Sequence, residues 1–135
     1  MSADQNREIV REFFERFSAA DVDATLALLD DSVIWRAMGR DGGLPMSGEM
    51  DKAGIGQLIR NVKALMPEGL KLTPTGWTAE GDRVALEMES YGVKQNGTVY
   101  NNFYHFMVIL SEGRITNVRE YLDTIHVKQV FIEDQ

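Results

Sequence analysis

Apolar residues recur at helical spacing in the first half of the chain and at alternating spacing in the second. Ile9, Val10, Phe13, Phe14 and Phe17 lie three or four positions apart or side by side, and Arg7, Glu8, Arg11, Glu12, Glu15 and Arg16 fill the remaining turn. That pattern predicts an amphipathic helix over 4–20, capped by Ser2 or Asp4. Asp21 is suited to cap a second, short helix with Val22, Leu26 and Leu29 as its stripe, ended by Asp30-Asp31. Positions 32–38 form a short apolar run fit for a strand. Positions 39–48, broken by Gly42-Gly43, Pro45 and Gly48, read as a loop. A third helical pattern covers 51–66, with Ile55, Leu58, Ile59, Val62 and Leu65 on one face and Pro67 and Gly69 as stops.

From position 70 the period changes to two. Segments 70–80, 83–93, 99–110 and 114–123 read as strands, joined by turns at Gly81-Asp82, Asn96-Gly97 and Glu112-Gly113. Positions 124–131 close the chain as a short helix. Helices to one side of an antiparallel sheet make an α+β layer, and strands of this length twist and curl. The expectation is a single domain over 1–135: a curved antiparallel sheet forming a cone, with three helices across its open side and an apolar cavity within.

Composition narrows the partners. With 44 % hydrophobic and 26 % charged residues the chain has the profile of a globular protein with a core. Its net charge of −7 disfavours nucleic acid and anionic membrane surfaces. No cysteine is present, which excludes disulfides and thiolate chemistry and suits a reducing compartment. The start of the chain has no signal-peptide apolar run, and no stretch approaches the ~20 apolar residues of a membrane span. A cytoplasmic protein is expected. Histidines and carboxylates show no metal-ligand spacing and no glycine-rich phosphate loop occurs, so no metal and no cofactor are expected.

Tyr100-Asn101-Asn102, Tyr104-His105-Phe106, Glu112-Gly113-Arg114-Ile115 and Arg119-Glu120-Tyr121-Leu122-Asp123 form a pattern in the last third. Together with the helical opening and the step from Gly48 to Ile55, it resembles the SnoaL-like group of the nuclear transport factor 2-like superfamily. That resemblance implies the cone fold, usually dimeric through the outer sheet face. It also implies functions ranging from ketosteroid isomerase, dehydratase, epoxide hydrolase and polyketide cyclase to non-catalytic binding. The Asp-Arg-Asp site of the epoxide hydrolases falls on Glu89, Glu87 and Asp123, and its supporting tyrosine and asparagine fall near Trp35 and Ala37. Replacing the arginine by Glu87 reverses a charge, so that water-activating triad is not expected here.

Each candidate side chain has a functional and a structural reading. Ala85, Glu87, Glu89 and Tyr91 share one face of their strand. The resemblance turns that face into the cavity, where paired carboxylates repel ionisation and suit acid/base work. Alternation with Val84, Leu86 and Met88 equally suits a solvated face. Asp123 ends the last strand as a cavity-facing base or as the cap of the following helix. Arg119 and Tyr121 share its face, and Arg119 would pair with the carboxylates inside the cone. Asn102, Tyr104 and Phe106 share a face on which Asn102 and Tyr104 would contact a ligand oxygen, or on which Tyr104 is a core aromatic. Trp35 lines the cavity or fills the core. His105 faces the outer sheet surface, and His126 sits near the mouth.

Two functions follow. One is cofactor-independent isomerisation, cyclisation or dehydration of a small apolar molecule, with Asp123, Glu89 and Tyr104 as catalytic candidates. Trp35, Glu87, Tyr91, Asn102, Phe106, Arg119 and Tyr121 are then the ligand-binding candidates. The other is a non-catalytic binding or dimerisation module. A homodimer through Phe103, His105, Met107 and Ile109 is expected in either case.

Overall fold

A computed structural model describes residues 1–134. The first helix, α1 (Ala3–Ser18), starts on a capping box in which Ser2 accepts from the Gln5 amide and Gln5 reaches back to the Ser2 amide. Its apolar stripe, including Val10, Phe13, Phe14 and Phe17, is buried. Asp21 caps α2 (Val22–Leu26), and Asp51 caps α3 (Lys52–Leu65).

Strands β1 (Leu29–Ala37), β2 (Gly48–Met50), β3 (Lys71–Glu80), β4 (Arg83–Val93), β5 (Val99–Tyr100), β6 (Phe103–Ser111) and β7 (Arg114–Leu122) form one seven-stranded curled sheet. Its order is β2-β1-β7-β6-β4-β3, with β5 paired to β4. The run β3-β4-β6-β7 is antiparallel as expected, but β1 joins β7 in parallel, so the sheet is mixed. Irregular register between Pro74 and Gly76, and between Ile109 and Leu110, marks bulges that bend the strands. The chain closes with α4 (Thr124–Lys128) and a single π turn, Gln129–Glu133.

Three local expectations shift. Leu29 belongs to β1, not to the second helix, and is fully buried. The strand expected over 99–110 is split, because Asn101 and Asn102 turn their side chains onto neighbouring strands and backbone. Gly48 is not only the end of a loop but opens an edge strand against β1. No helix among the described residues is long and apolar enough to cross a membrane.

The core lies between α1 and the concave face of the sheet. Phe13, Phe14, Phe17, Trp35 and Phe106 contact one another with ring centroids 4.8–6.3 Å apart, within the range of favourable aromatic pairs. Four of these side chains, Phe14, Phe17, Trp35 and Phe106, also face the space enclosed by the sheet and helices. The wide end stays open between α3, the 39–47 loop and the C-terminal segment.

Candidate functional site

The open end leads into a cavity of about 850 Å3. Its walls are mostly apolar: Phe14 and Phe17 from α1, Leu58 and Val62 from α3, Leu44 and Met46 from the loop, and Trp35, Phe106 and Leu122 from the sheet. Phe131 and Val127 of the C-terminal segment complete the rim. That segment is tied down by Lys94, whose ammonium donates to the carbonyls of Val130 (2.7 Å) and Asp134 (2.8 Å) and to the Asp134 carboxylate (2.9 Å). Hydrogen bonds from Asn96 and Lys94 hold that carboxyl low, at about 2.

One carboxyl group faces the cavity from deep in the sheet. Glu120 lies on β7 between Val118 and Leu122 and shares their face. Its Oε1 accepts from Trp35 Nε1 at 3.2 Å, and Trp35 is locked among Phe13, Phe17 and Phe106. Burial pushes the Glu120 carboxyl up to about 7, against the lowering effect of the Trp35 bond. The accessible surface it retains is cavity wall.

A second polar cluster lies on the same wall. Asn102 is fully oriented: Oδ1 accepts from the Phe103 amide (2.7 Å), so Nδ2 donates to Tyr100 Oη (3.0 Å) and to the Asp123 carbonyl (3.1 Å). The hydroxyls of Tyr100 and Tyr104 are 2.7 Å apart, and Tyr104 donates to Ser90 Oγ at 3.1 Å. Burial pushes the Tyr100 phenol up to about 12 and raises Tyr104 further. Negative charge on Glu120 adds to both shifts, so the three groups share one electrostatic environment.

The sequence-derived candidates divide cleanly. Trp35, Tyr104 and Phe106 line the cavity. Asn102 sits just behind the wall and fixes Tyr100. Glu87, Glu89, Tyr91, Arg119 and Tyr121 lie on the other face, which corrects the inward facing that the resemblance implied. The reason is cross-strand pairing: directly opposed residues share a face. Met88 opposes Tyr104 and Leu86 opposes Phe106, so Glu87 and Glu89 turn outward. On β7, Phe106 opposes Glu120 and Met107 opposes Arg119, which sends Glu120 in and Arg119 out. The Arg119–carboxylate network inside the cone is therefore not formed.

Asp123 is exposed and acts as the α4 cap, accepting at Oδ1 from the amides of Ile125 (3.0 Å) and His126 (3.2 Å). The cavity-facing expectation for Asp123 is corrected, and the capping reading holds. His105 lies outside beside Tyr121, as expected. His126 stacks on Tyr100 at 5.3 Å and accepts from the Asn101 amide. Sequence reasoning missed Glu120 and Tyr100. The signal was present: Val118 and Leu122 flank Glu120 with period two.

An α+β cone with a mostly apolar cavity and the Glu120 carboxyl group deep in its wall defines the class of this protein. The SnoaL-like domain model matches residues 10–118, and the chain belongs to that family. No curated protein matches the sequence. Among solved structures, an NTF2-like protein of unknown function from Burkholderia pseudomallei is 21 % identical with a TM-score of 0.81, covering 98 % of this chain and 99 % of that one. A putative SnoaL-like polyketide cyclase from Jannaschia is 16 % identical with a TM-score of 0.78, covering 94 % and 91 %. An LEH-like epoxide hydrolase of M. tuberculosis is 17 % identical with a TM-score of 0.77, covering 97 % and 92 %. These likenesses establish the shared fold.

Proposed function

We propose that the protein binds a small, largely apolar organic molecule in the cone and that Glu120 exchanges a proton with it. The chemistry is cofactor-independent isomerisation, cyclisation or dehydration. The observation that carries this reading is a carboxyl group in the wall of an apolar cavity with its pKa pushed up to about 7. A general acid/base works best when its pKa lies near the operating pH, and a strongly perturbed group in a cleft marks a functional site. The fold of a polyketide cyclase and of an epoxide hydrolase supports the same class of chemistry without fixing the reaction. This reading replaces Asp123 and Glu89 with Glu120 as the catalytic candidate and keeps Tyr104 as part of the wall.

One observation favours binding without turnover. The phenols of Tyr100 and Tyr104 are engaged with each other, Asn102 and Ser90, so neither is arranged as a free acid. The proposal includes a cytoplasmic location, in line with the cysteine-free sequence, and a homodimer through the outer sheet face.

The test is carbon-13 NMR of protein labelled at glutamate side-chain carboxyls, titrated with and without N-phenyl-1-naphthylamine as a neutral apolar probe. One resonance is expected to titrate near pH 7, to vanish in Glu120→Gln and to shift on adding probe. Leu58→Trp, which fills the cavity, is expected to abolish probe binding with the fold retained. A Glu120 resonance that titrates in the ordinary carboxylate range and ignores the probe would sink the reading.

A further inference from the structure

The inner wall of the cavity, where Tyr100, Tyr104 and Glu120 lie, accepts hydrogen bonds and offers almost none; the donors of Gln57, Asn61, Gln95 and Asn96 line the cavity from exposed positions, with Ser47 half-buried. Phe103 N–H and the Asp123 carbonyl fix the Asn102 amide so that it donates to Tyr100 Oη. Tyr104 gives its proton to Ser90 Oγ at 3.1 Å. The short 2.7 Å contact between the phenols then takes the proton of Tyr100. Each phenol oxygen keeps one acceptor lone pair, and no phenol proton is left for a ligand. At Glu120, Trp35 Nε1 occupies Oε1, and it is the one side chain among the described residues that donates to this carboxyl. Oε2 is left with acceptor capacity alone while the group is ionised.

We infer that the ligand supplies the hydrogen-bond donor: the site selects apolar molecules bearing a hydroxyl group, an alcohol or a phenol, over the ketone of the same skeleton. This rests on the cavity being a ligand site, as proposed above. A ketone would bring a second acceptor against the phenol and carboxylate oxygens and leave buried acceptors facing each other, which costs more than a missing contact. An alcohol places its O–H on Glu120 Oε2 or on a phenol oxygen. The other titratable groups that line the cavity are Lys94 and Asp134 at the rim. They are bonded to each other at 2.9 Å, so neither supplies a competing donor to the inner wall. His126 lies behind Tyr100, with its Nε2 occupied by the Asn101 amide.

The experiment is calorimetric titration of the intact protein at about pH 8 with three probes of one skeleton: 1-(2-naphthyl)ethanol, 2-acetylnaphthalene and 2-ethylnaphthalene. The alcohol is expected to bind about tenfold more tightly than the ketone, the ratio that one hydrogen bond to an ionised group supports. In Glu120→Gln, whose amide offers both a donor and an acceptor, the alcohol-to-ketone ratio is expected to fall to about twofold or less. Circular dichroism identical to wild type, together with unchanged binding of 2-ethylnaphthalene, would show that the variant has kept its fold and cavity. A ketone that binds as tightly as the alcohol, while 2-ethylnaphthalene also binds, overturns donor selection and leaves the cavity reading intact. Failure of all three probes to bind overturns the cavity reading and this inference with it.

Discussion

Glu120 shows how one side chain's surroundings set its chemistry. Its pKa is raised from the ordinary 4.5 to about 7, so the folded state holds the proton more tightly than the unfolded chain. The associated stability is full below about pH 4.5 and is lost as pH rises through about 7. Glu120→Gln cannot ionise and escapes that loss. Urea denaturation of both proteins between about pH 5 and pH 8 is expected to show the variant gaining roughly 1–3 kcal/mol on wild type across the range. The figure allows for the carboxyl surface that still meets the cavity. A difference that stays constant with pH would show that Glu120 titrates normally. Asp123 is the opposite case, an exposed carboxylate with a backbone task. Asp123→Asn should leave stability within about 0.5 kcal/mol and Asp123→Ala should cost about 1 kcal/mol, because asparagine caps nearly as well as aspartate and alanine does not. Thermal denaturation of the two variants reads this directly.

At the scale of elements, α1 and α3 present apolar stripes to different surroundings. The Phe13 side chain on α1 is completely buried and packs edge-on against Phe14. Leu58 on α3 is half-buried and lines the cavity. Truncating Phe13 to alanine opens a void in packed core and should cost about 3–5 kcal/mol, whereas Leu58→Ala only widens a space that already exists and should cost under about 2 kcal/mol. Equal losses in chemical denaturation would mean that α3 packs as tightly as α1. The C-terminal segment is held differently again, by Lys94 and by the edge-on contact of Phe131 with Tyr100 at 4.7 Å. Val127 and Val130 of the same segment are buried in the core, so polar ties and apolar burial hold it together.

The whole molecule has two sheet faces with different chemistry. The concave face is closed by helices. The convex face carries Tyr91, Phe103 and Tyr121, each 44–65 % exposed, with Glu89 opposite Phe103 and His105 opposite Tyr121. Large aromatic side chains gathered on one surface favour a partner, and a two-fold pairing of like faces is the commonest solution. Sedimentation equilibrium at micromolar concentration is expected to give a dimer, and Phe103→Glu is expected to give a folded monomer. A monomeric wild-type protein would remove the proposed interface.

The sequence by itself determined most of the elements and much of the facing. Periodicity located α1, α3 and the long strands, because one face of each is buried and hydrophobicity records burial directly. It placed Asn102, Tyr104 and Phe106 inward and His105 outward. It did not show that β1 pairs in parallel with β7, since pairing between distant segments leaves no local trace. Nor did it settle which carboxylate enters the cavity. Glu87, Glu89, Glu120 and Asp123 all lie on strands or at a strand end with alternating neighbours, and a bulge in the β6–β7 register moves the alternation of β7 by one position. Only the assembled sheet turned Glu120 toward Trp35 and left Asp123 as a cap. The pKa of Glu120 was likewise a tertiary outcome, because its burial beside Trp35 of β1 and opposite Phe106 of β6 exists only once the sheet has assembled.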